Sequence, residues 1–221
     1  MALEPGDLRR ALAARLGTLW LLKMLSTAGG IAAFFSAYFW VMRHPLSAVT
    51  VMPLTWVDEL VGFHPQSFAL YASLWIYISL VAALAKDLPE LAAFGAASLA
   101  MIVVGLGIFM LLPTKVPDFA IDWSLHPSLQ FLKSVDVTGN ACPSLHASFC
   151  IYTAVALHAQ LTAIGAPRWL LAFNVLWGLG ILYGTIATRQ HVALDVAAGL
   201  VLGGVVSFAY LAALAQRERA R

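Results

Sequence analysis

Charge is what this sequence has least of. Only 11% of its 221 residues are Asp, Glu, Lys or Arg, against 61% that are hydrophobic. A single soluble core of this size cannot hide that much apolar surface. The net charge of +2 is too small for a nucleic-acid footprint, so no nucleic-acid partner is expected. Cysteine is nearly absent too. Cys142 and Cys150 form no CxxC pair, and a helix between them would hold them on the order of 12 Å apart, outside disulfide reach. They read as small apolar residues, and neither a disulfide, a metal site nor a cofactor is expected. There is no internal repeat and no low-complexity segment.

What the chain has instead is long apolar runs, at about 24–42, 68–85, 92–112, 145–164, 168–187 and 192–214. Each is roughly long enough to cross the ~30 Å hydrocarbon core as a helix. The expected fold is all-α: a polytopic membrane helical bundle of about six transmembrane helices, forming one membrane-embedded domain over 1–221. The first run follows a basic start, but its length and the lack of a small-x-small cleavage site make it a retained helix rather than a signal peptide. The pairs Gly180 with Gly184 and Gly199 with Gly203 are spaced for close helix approach.

With the N-terminus cytoplasmic, Arg9, Arg10, Arg15, Lys23, Lys86, Arg168, Arg217, Arg219 and Arg221 lie inside, and Arg43, Lys115, Lys133 and Arg189 outside. This excess of inside cations favours both termini in the cytoplasm. The long connections, about 43–67 and 113–144, then face the extracytoplasmic side, where a site has room. The first mixes Pro45, Pro53 and Pro65 with Val49, Val51, Met52, Leu54 and Trp56. It reads as a re-entrant or interfacial segment, either a lid or a packed plug. No organelle signal is present, so a plasma membrane or bacterial inner membrane is expected.

Two polar islands interrupt the apolar runs: Cys142-Pro143-Ser144-Leu145-His146-Ala147-Ser148 and Thr188-Arg189-Gln190-His191-Val192-Ala193-Leu194-Asp195. Ionisable residues at such depth are costly and often functional. Two spans separate the histidines, one crossing and one returning, so both reach the same face. His191 and Asp195 stand four apart, on one face of a helix, where the carboxylate can accept from one ring nitrogen and leave the other as a nucleophile. His146 can protonate a leaving oxygen. Ser144 and the backbone amides at the start of its helix favour an anion, and Arg189 and Lys115 are the candidates for the remaining phosphate oxygens. Taken singly, a His–Asp pair is more often a satisfied polar contact and a Pro-Ser more often only a cap. Their convergence on one side of a chain so poor in charge favours a site. If His191 must be neutral and His146 protonated, activity should be bell-shaped around neutral pH.

With Pro143-Ser144-Leu145-His146 and His191-Val192-Ala193-Leu194-Asp195, the sequence resembles the type 2 phosphatidic acid phosphatase superfamily over about 110–205. The Leu145 in place of a more usual Gly makes it look closer to the inositol phosphorylceramide synthase branch. The resemblance implies a metal-independent reaction through a phosphohistidine on His191, with Asp195 orienting it and His146 as general acid, followed by hydrolysis or by transfer to an alcohol. It departs from the family pattern in two places. Lys115 lacks an Arg-Pro at the family's offset, and Gly184-Thr185 stands where the family carries Ser-Arg.

The expectation is therefore a lipid phosphate phosphatase. Phosphatidate or another phospholipid, a polyprenyl phosphate or a sphingoid phosphate would each offer the same phosphoryl group. The alternatives are a phosphotransferase that moves a phospho-headgroup to a lipid or polyol hydroxyl, a lipid transporter whose islands line a path, and a pseudoenzyme that binds without turnover.

Overall fold

The computed structural model describes residues 5–135 and 139–220; Arg221, counted above among the inside cations, and residues 136–138 of the second long connection lie outside them. The described residues form ten α-helices and two short strands. In chain order the first part comprises α1 (Pro5–Gly17), α2 (Trp20–Arg43), β1 (Thr50–Val51), α3 (Trp56–Val61), α4 (Phe68–Ala72) and α5 (Leu74–Ala83). The second comprises α6 (Leu88–Leu111), β2 (Thr114–Lys115), α7 (Pro127–Val135), α8 (Leu145–Ala163), α9 (Arg168–Ala187) and α10 (Ala193–Arg219). The protein is an all-α membrane bundle, as its composition predicts.

Local chemistry sets the helix ends. Asp87 caps α6 by accepting from the Glu90 amide at 2.9 Å, with Pro89 in the first turn. The turn from α8 to α9 passes through Gly165 at φ +67°, a conformation that suits a residue without a Cβ. The long second run is broken at Ser73 into α4 and α5, which with the 3-10 turn Pro65–Ser67 form one segment of 19 residues.

Among the described residues, five segments are long and apolar enough to cross a membrane: Trp20–Arg43, Pro65–Ala83, Leu88–Leu111, Arg168–Ala187 and Ala193–Arg217. The expected sixth, α8, has 19 residues but does not join them by composition. His146, Ser148, Thr153, His158 and Gln160 lower its hydropathy, and 11 of its residues are buried. It is the enclosed helix, packed against α5, α9 and α10. Large side chains such as Phe173, Leu176, Val201, Val205 and Phe208 point outward from α9 and α10, as expected of a surface solvated by lipid.

Glycines set the tightest contacts. A Cβ at Gly199 would overlap the Ser144 carbonyl and one at Gly203 the Ser148 carbonyl, so α10 meets α8 backbone to backbone. Gly184 does the same on α9, where a Cβ would stand 3.0 Å from the Tyr71 amide. The expected packing role of these glycines is what the bundle uses.

The two long connections meet above one end of the bundle. β1 pairs in parallel with β2, Thr50 opposite Thr114 and Val51 opposite Lys115, and Ala141 donates to the Thr114 carbonyl at 3.0 Å. Helix α3 closes the same end against α9. The 43–67 segment is thus tied to this end of the bundle through β1 and α3.

Candidate active site

Both polar islands lie at the end of the bundle that carries the long connections. The first turn of α8 brings in His146, and His191 stands just before α10, whose first turn carries Asp195. The Ser144 amide donates to the Asp195 backbone carbonyl at 2.9 Å, which ties the two islands directly. Ser144 is the N-cap of α8, its Oγ accepting from the Ala147 amide at 3.2 Å.

His191 Nδ1 lies 3.1 Å from Asp195 Oδ2, and Asp195 is fully buried. A carboxylate so placed holds the proton on Nδ1 and leaves the Nε2 lone pair as the nucleophilic position. The main chain also orients the ring, because the His191 amide donates to the Thr185 carbonyl at 3.2 Å. His146 is fixed in another way. Its Nε2 lies 2.9 Å from the Tyr71 carbonyl, and its ring stacks on the Tyr71 ring with centroids 4.0 Å apart and planes within 4°. With Nε2 donating to that carbonyl, Nδ1 is the nitrogen left for proton exchange.

His146 and His191 line one cavity of about 900 Å3, together with Tyr71, Gln190 and Asn140. Gln190 and Asn140 are polar lining residues that the motif reading missed. The signal lay in and beside the islands: Gln190 directly precedes His191, and Asn140 stands two residues before Cys142. Asn140 Nδ2 also donates to the Tyr38 hydroxyl.

The residues expected to bind phosphate are distributed differently. Ser144 is fully buried, with its hydroxyl in the cap, and Lys115 is exposed on β2. Arg189 has φ +57°, which turns its side chain toward α3. There Nη1 donates to the Asp58 carbonyl at 3.0 Å, and the guanidinium lies 4.8 Å from the Phe119 ring centroid. None of these three lines the cavity that the histidines share.

Asp58, which the sequence reading did not single out, is a junction. It is 1% exposed. Its Oδ2 accepts from the amide and hydroxyl of Thr55, both at 2.8 Å, closing a capping box at the start of α3. Its Oδ1 accepts from the Ala193 amide at 2.8 Å. Val192, the N-cap residue of α10, supplies no capping side chain, so Asp58 satisfies an N-terminal donor of that helix from across the fold.

Cys142 and Cys150 are unpaired thiols. Burial, and then the neighbouring Asp195 carboxylate, push the Cys142 thiol up, which keeps it protonated and a poor nucleophile.

Comparison with known proteins gives one match. A family model described as the PAP2 superfamily matches residues 88–219, which hold both islands. No curated protein and no solved structure matches the chain. The match covers more than half of the sequence and the whole of α6, α8, α9 and α10; the chain belongs to the PAP2 superfamily.

Proposed function

We propose that this protein is an integral-membrane lipid phosphate phosphatase that works through a phosphohistidine on His191. The superfamily hydrolyses or transfers phosphate esters, so membership and the apolar helices mark a membrane enzyme of the phosphatase type. The observation that carries the finer reading is the 3.1 Å contact from His191 Nδ1 to a fully buried Asp195, on the wall of a cavity that His146 also lines.

In the first step the Nε2 lone pair of His191 attacks phosphorus, and the ester P–O bond breaks. The leaving alkoxide takes the proton from His146 while Asp195 stabilises the imidazolium. In the second step water attacks phosphorus, neutral His146 takes its proton, and the P–N bond breaks to release phosphate. Gln190 and Asn140 are the polar side chains on the cavity wall that can hold phosphoryl oxygens, whereas Ser144, Arg189 and Lys115 lie outside that wall. The positive-inside division of cations supports an extracytoplasmic site in a plasma or bacterial inner membrane.

The test is phosphate release from a panel of lipid phosphates by purified wild type and His191→Ala, with a search, after an alkaline detergent quench, for a base-stable and acid-labile phosphoenzyme. Release and phosphoenzyme that both vanish in His191→Ala support the reading. Phosphoenzyme without release, discharged by an added lipid or polyol alcohol, would replace hydrolysis with transfer, the reaction of the inositol phosphorylceramide synthase branch. Release that survives His191→Ala would refute it.

A further inference from the structure

The cavity that begins at the two histidines does not end near them. It continues as an apolar slot between α2 and α6, over α5, as far as Leu22 and Leu88 at the opposite end of the bundle. Along α6 it runs from Phe109 to Leu88, which at 1.5 Å per residue is about 31 Å. That is the thickness of the whole hydrocarbon core, ~30 Å, and about twice what one leaflet offers.

The slot runs beside α2, which meets the bundle in mid-span through Phe34 and Phe35 against Trp75 and through Phe34 against Phe149, yet is little buried along its length. Only 6% of its apolar window is buried, against 28–39% for the other four spans, and its buried residues are Lys23, Val41 and Met42. At one end Lys23 Nζ donates to the carbonyls of Arg15 at 2.6 Å and Ala83 at 2.9 Å. At the other, the Leu46 amide donates to the Met110 carbonyl at 2.9 Å and Ser47 Oγ to the Leu111 carbonyl at 3.0 Å. Between these ties the slot is floored partly by small residues, among them Gly30 and Ala33 on α2 and Gly95 and Ser98 on α6. A Cβ at Gly30 or Gly95 would meet nothing within 4 Å, so this space is not taken up by helix packing.

Resting on the function proposed above, we infer that the slot holds the single extended hydrocarbon chain of the substrate, and that the substrate is a lipid phosphate with a chain longer than one leaflet, of the polyisoprenoid kind. The occupant's chemistry follows from continuity and length. One end of the slot is the phosphoryl site and the rest is apolar but for Ser26, Thr27 and Ser98, and a diacyl lipid seated in one leaflet would leave the far half empty. Gly95 lies about 21 Å from Phe109 along α6, beyond the reach of one leaflet.

The kinetic experiment compares kcat/KM for a long-chain polyprenyl phosphate with that for farnesyl phosphate and dioctanoyl phosphatidate, in wild type, Gly95→Leu and Gly107→Leu. Gly107 is on α6 but does not line the slot, and a Cβ there also meets nothing within 4 Å. Leucine favours the helix at both positions, so both variants should fold. The long-to-short ratio is expected to exceed 1 in wild type. It should fall on the order of tenfold in Gly95→Leu, equivalent to about two methylenes denied burial, and stay at the wild-type value in Gly107→Leu. A ratio of 1 in wild type, or one that Gly95→Leu leaves unchanged, overturns the inference.

A binding experiment that needs no turnover separates this from failure of the phosphatase reading. His191→Ala in vesicles is photolabelled with a long-chain polyprenyl phosphonate carrying a diazirine near its far end. Labelled peptides around Gly30 and Gly95, competed by unlabelled long-chain phosphate but not by dioctanoyl phosphatidate, are expected. Labelling confined to the residues near the histidines, equal labelling by a photoreactive phosphatidylcholine, or α2–α6 crosslinks between two chains would each overturn it. If wild type releases phosphate from no lipid while this labelling appears, the phosphatase reading falls and the chain slot stands.

Discussion

Asp58 is the side chain whose loss should travel furthest from where it sits. In Asp58→Ala three hydrogen bonds disappear at once, those to the Thr55 amide, the Thr55 hydroxyl and the Ala193 amide, all at 2.8 Å. Loss of a helix cap costs about 1 kcal/mol, and leaving the buried Ala193 donor unpaired costs a further ~1–3 kcal/mol. Together these predict a local loss of about 2–4 kcal/mol. It falls on α3 and on the first turn of α10, two residues before Asp195. A drift there of about 1 Å is enough to cost on the order of 100-fold in rate, because the Nδ1 to Oδ2 contact is already 3.1 Å.

The assay is kcat for phosphate release alongside thermal unfolding in detergent, for Asp58→Ala and Asp58→Asn. The amide of Asp58→Asn keeps an acceptor for the Ala193 amide but must give up part of the Thr55 pair, so its loss should be the smaller. A bundle that melts normally with kcat reduced 10-fold or more in Asp58→Ala, and less in Asp58→Asn, is the expected pattern. If Asp58→Ala keeps kcat within twofold of wild type, α3 is not part of the frame that holds the dyad, and the reasoning from the Ala193 bond is refuted.

Other perturbations probe the rest of the site. Asp195→Asn keeps the shape but withdraws the charge facing His191 Nδ1, so kcat should fall about 10³–10⁴-fold while binding of a lipid phosphonate, read by equilibrium titration, changes little. Gly203→Ala drives a methyl into the Ser148 carbonyl, an overpacking that costs ~1–3 kcal/mol and should lower the melting temperature. Gly204→Ala, with nothing within 4 Å, should leave it equal or raise it, since alanine is favoured over glycine in a helix by up to about 1 kcal/mol. Phosphate release should continue in excess chelator, because His191, Asp195 and His146 fill the roles of nucleophile, orienting base and acid; inhibition reversed by added metal would contradict the scheme.

Much of the fold was legible because a bilayer imposes simple rules. Long apolar runs had to be helices, and parity alone brought His146 and His191 to one end. The number of qualifying spans came out one short because hydropathy measures contact with lipid. The residues that make α8 useful, such as His146 and Gln160, also make it unlike a lipid-facing helix. Within the site, the His191–Asp195 contact was legible because both partners lie on one helical turn, four residues apart. Asp58 was not, since its bond to Ala193 spans 135 positions and its local role, closing a capping box with Thr55, already accounts for a carboxylate there. Arg189 was identified as a cation near the histidine, but its direction depends on a left-handed backbone at that one residue, which motif spacing does not encode.

The same physics explains why the enclosed helix is also the one that bears His146. A polar group facing hydrocarbon costs several kcal/mol, so a helix carrying His146, Ser148, Thr153 and Gln160 must be surrounded by other helices. Close surrounding requires small residues, and Gly199 and Gly203 let α10 lie directly on the α8 backbone. That contact sets the distance from the Ser144 amide to the Asp195 carbonyl, and with it the relative position of the two polar islands. The dyad and the second histidine are therefore registered by helix packing together with Asp58 of the first long connection, which holds the start of α10. The rest of the connections shape what surrounds the phosphoryl group, and α2, which packs mainly on α5 and α6 rather than on α8 and α10, borders the slot.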